Sequence, residues 1–178
     1  MIELKSIKVK KPDDINVILG QSHFIKTVED LYEVLVNAVP GIKFGFAFVE
    51  SSGACKIRSE GNDPELKALA SENALNIAAG HSFIVMLRNA YPINVLNAIK
   101  NIPEVCAIYC ASANPIEVIV VENAQGGRGI MDALHGAGVC SVLHRKKDHA
   151  RERRPQRTLD PHSMKRRPWL SMSACTSS

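Results

Sequence analysis

Every isoleucine, asparagine, phenylalanine and tyrosine of this 178-residue chain lies at or before Ile130, and no other feature limits its fold as sharply. The core must be built upstream of that point, because β-branched and aromatic side chains supply most of the burial free energy of a domain. Charge divides at the same place. Lys and Arg number 12 against 14 Asp and Glu over residues 1–130, and 10 against 4 over 131–178. The overall +4 therefore belongs to the last quarter of the chain. A basic balance usually points to nucleic acid or an anionic membrane, and here that inference attaches to the tail alone.

An apolar content of 46% and a charged content of 22% suit one soluble domain. No run approaches the roughly 20 apolar residues of a bilayer span, and MIELKSIKVKK is unlike a signal peptide, so the expectation is cytoplasmic residence with no membrane partner. Cys55, Cys106, Cys110, Cys140 and Cys175 show neither CxxC nor a paired metal-ligand spacing. They read as reduced thiols, with Cys106 and Cys110 as strand positions on one face and no metal site expected.

Residues 2–10 form an untidy alternation that suits an edge strand. Ile15 to Leu19 reads as a buried strand ending at Gly20. From Thr27, taken as N-cap, Val28, Leu31, Leu35 and Val39 follow helical spacing until Pro40-Gly41. Phe44, Phe46 and Phe48 give a strand with one aromatic face, and Ser51-Ser52-Gly53 turns it into a hairpin with Cys55 to Glu60. Asn62-Asp63-Pro64 opens a second helix that Gly80 ends, and His81 to Leu87 is a central strand. A third helix runs from Tyr91-Pro92 to Ile102-Pro103, followed by strands at Val105 to Ala111 and Ile116 to Glu122. The expectation is a single α/β domain with a mixed β-sheet covered by helices, in the order ββα-ββα-βα-ββ, ending near residue 130.

Chemistry concentrates in Gly20-Gln21-Ser22-His23-Phe24-Ile25-Lys26-Thr27, between a strand and a helix. It matches the phosphate-loop spacing G-x-x-x-x-G-K-[ST] except at Ile25, where the second glycine should stand. A β-branched residue resists the required curl, so a nucleoside-triphosphatase loop is rejected. Two readings remain: an anion site made by the helix N-terminus, Lys26 and Thr27, or an ordinary capped connection. His23 within this loop and His81 before the central strand lie where open α/β sheets bind ligands, and imidazole can accept a phosphoryl group or carry a proton. Gln21, Asn94 and Asn114 are candidate amides for a base or ribose edge, although Asn94, Asn97 and Asn101 also fit a solvated helix face. Arg128, inside Gly126-Gly127-Arg128-Gly129, could hold a phosphate or simply leave the last strand flexibly.

NVILGQSHFIKTVEDLYE (16–33), VPGIKFGFAF (39–48), EGND (60–63), ENALNIAAGH (72–81), YPINVLNAIKNIPEVC (91–106), ANPIEVIV (113–120) and GGRGI (126–130) together resemble the archaeal and bacterial adenosine-specific kinase family. The resemblance implies a cytosolic, oligomeric α/β protein that binds adenosine and AMP rather than ADP or ATP, with a stably phosphorylated histidine. His23 and His81 match the family's histidines, and His23 is preferred because Lys26 and the helix N-terminus would neutralise a phosphoryl group there. Gly20, Gln21, Ser22, Lys26, Thr27, Asn94, Asn114 and Arg128 complete the expected nucleotide and phosphate contacts. No cofactor motif is evident and no residue pattern identifies a phosphodonor. The alternative is a non-catalytic adenosine or AMP sensor.

The tail departs from the resemblance. Family members continue through a short acidic stretch into a terminal helix; here the text is rich in Arg, Ser and His. At the upstream frequency about six isoleucines would be expected after residue 130, and none occurs. Residues 131–178 read as a translated wrong reading frame, or as a genuine disordered basic tail able to bind nucleic acid through its phosphates.

Overall fold

The computed structural model describes residues 1–52 and 55–136. Of the expected low-order tail, residues 131–178, the part from 137 onward lies outside the described residues, as do Cys140, Cys175 and Gly53 of the hairpin turn, whereas residues 131–135 belong to the last strand of the fold. Eight strands and three helices follow in the order β1 (Glu3–Lys8), β2 (Asn16–Ser22), α1 (Thr27–Ala38), β3 (Lys43–Val49), β4 (Ile57–Gly61), α2 (Pro64–Ile77), β5 (Ser82–Arg88), α3 (Pro92–Lys100), β6 (Val105–Ser112), β7 (Ile116–Glu122) and β8 (Arg128–His135).

The expected single α/β domain forms, with its strands divided into a five-stranded sheet, β4-β3-β5-β2-β6, and a three-stranded sheet, β1-β7-β8. Every ladder is antiparallel. The helices nevertheless make crossovers between parallel strands. Since β2 and β3 are both antiparallel to β5, α1 joins two parallel strands with β5 between them, and α2 and α3 do the same across β3 and β2. A helical crossover needs that lateral room, and the vacant lane is filled by an antiparallel strand.

One face of the larger sheet carries Phe44, Phe46, Phe48, Phe83, Val85 and Leu87 against Leu31 and Leu35 of α1 and Val95 and Ile99 of α3. The other face, with Val17, Leu19, Ala47, Ile84 and Met86, packs on Leu66, Ala70 and Ile77 of α2 and on Ile116, Val118 and Val120 of the smaller sheet. Period-two alternation thus supplies two cores from one sheet. At Gly45, in the face beneath α2, an added Cβ would fall 2.1 Å from the Lys67 nitrogen, so this strand admits only glycine. As expected, β1 is an edge and β5 is central.

Four local readings differ from the structure. β8 is absent from the expected order, because a glycine-rich entry and a bulge at Met131 obscure its alternation; Ala133 nonetheless turns inward. β2 runs through Gly20 to Ser22, since the Phe83 ring lies over Gly20, where a Cβ would approach it to 2.4 Å. α2 ends before Gly80, with Ala78 in the left-handed conformation at φ 49°. Cys106 is exposed and Cys110 buried, because two register shifts against β2 interrupt the two-residue alternation of β6. Burial pushes the Cys110 thiol up to about 11.

Candidate functional site

One end of the larger sheet gathers the C-terminal ends of β2 and β3 and the N-terminal ends of β5 and β6, as the pairs Gln21↔Ser82, Phe48↔Phe83 and Ser22↔Val105 require. Backbone bonds extend these ladders. The His81 N–H donates to Val49 O (2.9 Å), the Ser22 N–H to His81 O (2.9 Å), and the His23 N–H to Glu104 O (2.9 Å). Two residues distant in sequence are thereby set side by side: the rings of His23 and His81 lie 4.5 Å apart at an interplanar angle of 36°.

The surroundings of this pair depart from ordinary satisfaction. Ser22 Oγ, His81 Nδ1 and Glu104 Oε2 are buried without a hydrogen-bond partner among the described residues. Buried polar atoms are nearly always paired, so three without a partner beside two histidines set this end of the sheet apart. Backbone strain concentrates here too. Among the described residues five non-glycines have positive φ, and four of them, Phe24 (69°), Cys55 (47°), Ala78 (49°) and His81 (63°), belong to this end.

Lys26 does not stand free beside His23. Its ammonium pairs with Asp30 and, at 3.4 Å, with Glu104, and it is held above its ordinary value first by Asp30 and then by Glu104. Lys26, not Thr27, is the N-cap residue of α1, without a side-chain cap bond. The Thr27 hydroxyl turns back toward the carbonyls of Phe24 (2.7 Å) and His23 (3.1 Å). The Thr27 and Val28 N–H groups donate to Phe24 O and Ile25 O. The loop thus spends on itself amides that a phosphate would need.

Gly20 and Gln21 sit within β2 rather than in a loop, and the Gln21 side-chain oxygen Oε1 accepts from the Tyr109 hydroxyl (3.2 Å). Ser22 joins the histidine pair. Asn94 and Asn114 do not: they follow β5 and β6, whose last residues pair with the beginning of β2 at the opposite end of the sheet. Asn94 is consumed in the capping box of α3, accepting from the Tyr91 N–H (2.9 Å).

His81 and Arg128 share a cleft of about 520 Å³ with Glu50, Ile57, Leu75, Gly126 and Gly127. The Arg128 guanidinium donates to Glu122 (2.5 Å) and to the Asn76 carbonyl (3.1 Å) at the end of α2. Lys5 and, after it, Arg128 hold the Glu122 carboxyl below the usual range. A second cleft of about 590 Å³ opens between α1 and β4, lined by Ile25, Tyr32, Glu29, Glu33, Arg58 and Glu60. Glu50 of the first cleft and Arg58 of the second form an ion pair.

Glu50 and Glu104 are absent from the sequence-derived set. Each flanks a strand at the histidine end, so strand boundaries alone would have placed them near the site had the strand order been known. Among the described residues no helix is long and apolar enough to cross a membrane.

A family model for the adenosine specific kinase matches residues 7–158. The crystal structure of the PH1918 protein from Pyrococcus horikoshii OT3 is similar at 48% identity, with 81% of this chain and 88% of that chain covered and a TM-score of 0.77. No curated protein matches. With the motifs of the two histidines inside the matched region and the fold shared along most of both chains, the chain belongs to the adenosine-specific kinase family.

Proposed function

We propose that this protein binds adenosine and AMP and moves a phosphoryl group between the ribose 5′ oxygen and His23. The observation that carries this reading is the imidazole pair, 4.5 Å between centroids, held at a sheet end beside a cleft. With AMP, a ring nitrogen of His23 attacks phosphorus, the N–P bond forms and the P–O5′ bond breaks. The departing oxygen takes a proton, for which the adjacent His81 ring is the source, and adenosine leaves. The reverse reaction converts adenosine to AMP. Lys26 can turn from Asp30 to the phosphoryl oxygens because an exposed ion pair opens at little cost. Ile25 in place of the second loop glycine, with the Thr27 and Val28 amides already bonded, favours a monophosphate over a triphosphate.

Incubation of the full chain with AMP, followed by mass spectrometry under conditions that preserve phosphohistidine, should show one phosphoryl group in the wild type and none in His23→Ala. Label that persists in His23→Ala would move the acceptor elsewhere, with His81→Ala as the next variant.

The rival reading, a non-catalytic sensor, draws support from the engagement of Lys26 by two carboxylates, which leaves His23 without a committed cation. Calorimetric binding of adenosine and AMP, with no label in the wild type, would establish the sensor instead.

A further inference from the structure

The cleft beside His81 contains a carboxylate that the transfer chemistry leaves unused. Glu50 follows β3, one residue after the carbonyl that receives the His81 N–H, and its own N–H donates to Lys56 O (2.9 Å). Its side chain is only 9% exposed, and Arg58 Nε holds one oxygen, Oε1. Among the described residues the one ion-pair partner of this carboxylate is an exposed guanidinium, a costly way to bury a charge, and removing it would leave the cleft more apolar. Such a group persists where it meets a ligand.

The ligand chemistry follows from what else the cleft offers. The one guanidinium or ammonium among the described lining residues, that of Arg128, is turned to Glu122 and to the carbonyls ending α2. A deep anion would therefore find a carboxylate and an occupied guanidinium. Ile57 and Leu75 instead give apolar walls, and Glu50 gives an acceptor for hydroxyl donors. The wall is also held in place. At Gly80 a Cβ would come 2.6 Å from Ser51 Oγ, so the residue after Glu50 packs directly against the one before His81. Three of the left-handed non-glycine residues, Cys55, Ala78 and His81, line this same cleft.

From this geometry we infer that Glu50, oriented by Arg58, accepts hydrogen bonds from the vicinal 2′ and 3′ hydroxyls of a ribose, making this cleft a subsite selective for ribonucleosides. The inference rests on the adenosine-binding reading and gives it a direction: base against the apolar walls, diol at Glu50, 5′ carbon toward His81. A carboxylate is suited to this task because it offers acceptors only, and a nucleoside that lacks a hydroxyl leaves its buried charge without a donor.

The test is calorimetric titration of the full chain with adenosine, 2′-deoxyadenosine and 3′-deoxyadenosine. Wild type should favour adenosine over each deoxy analogue by roughly 10- to 100-fold, the range of hydrogen bonds to a charged group. Glu50→Gln, which keeps shape and removes charge, should bring the ratios to within about threefold. Should Glu50→Gln fail to fold, Glu50→Asp keeps the charge, withdraws the carboxylate and should shrink the ratios likewise. Equal binding of all three nucleosides by wild type, or ratios unchanged in the folded variant, overturns the ribose subsite while adenosine binding stands. No binding of any nucleoside by wild type refutes the adenosine reading itself, and with it the subsite.

Discussion

The two ends of β2 hold similar chemistry and use it in opposite ways. At the first end Asn16 is buried and its amide donates to Ala90 O (2.8 Å), Arg88 donates to Asp14 (2.8 Å) and Glu65 (3.1 Å), and Asn94 closes a capping box. At the other end, six residues along the same strand, Ser22 is buried too, and among the described residues its hydroxyl has no partner, nor do His81 Nδ1 and Glu104 Oε2. A fold stabilises itself by completing its hydrogen bonds, so the end where they are complete is scaffold. The end where they are idle, and where four of the five strained residues lie, carries buried polar groups that cost the fold stability.

Breaking the scaffold end should have the largest effect on stability. Asn16→Ala leaves the buried Ala90 carbonyl unsatisfied and should cost about 1–3 kcal/mol in denaturant unfolding. Phosphoryl labelling by AMP should persist, because Asn16 lies at the far end of β2 from His23. Loss of labelling in a folded Asn16→Ala protein would mean that the two ends are not separable.

Asn94→Ala sharpens the contrast between amides that look alike in sequence. It removes the side-chain acceptor of the Tyr91 N–H at the start of α3 and should cost about 0.5–1 kcal/mol, with adenosine affinity unchanged in the same calorimetric titration. Weakened adenosine binding would return Asn94 to the nucleotide site.

The amides show why part of the site was legible in sequence and part was not. Periodicity located α1, β3, β5 and β7, because amphipathic and alternating patterns are local. His23 and His81 were legible as strand-end residues for the same reason. Asn94 and Asn114 were also near strand ends, but which end a strand presents depends on its partners. Three crossovers, each leaving a lane for an antiparallel strand, put these amides opposite the histidines. The same long-range order brings Glu50 and Glu104 to the histidines from separate strands. Bulges explain the misses in β6 and β8, since an extra residue in either strand shifts the alternation from which a face is read.

The smallest expected change in stability is at Ser22, and its sign carries the comparison. Alanine there deletes a hydroxyl that is desolvated without compensation, so Ser22→Ala should leave unfolding free energy unchanged or raise it by up to about 1 kcal/mol. If the hydroxyl is kept for ligand or phosphoryl contact, the same variant should label more slowly with AMP or bind adenosine several-fold more weakly. A gain in stability coupled to a loss of function is what distinguishes a held-open site from scaffold. A loss of stability comparable to that of Asn16→Ala would instead place Ser22 among the groups that hold the fold, and the two ends of β2 would cease to differ.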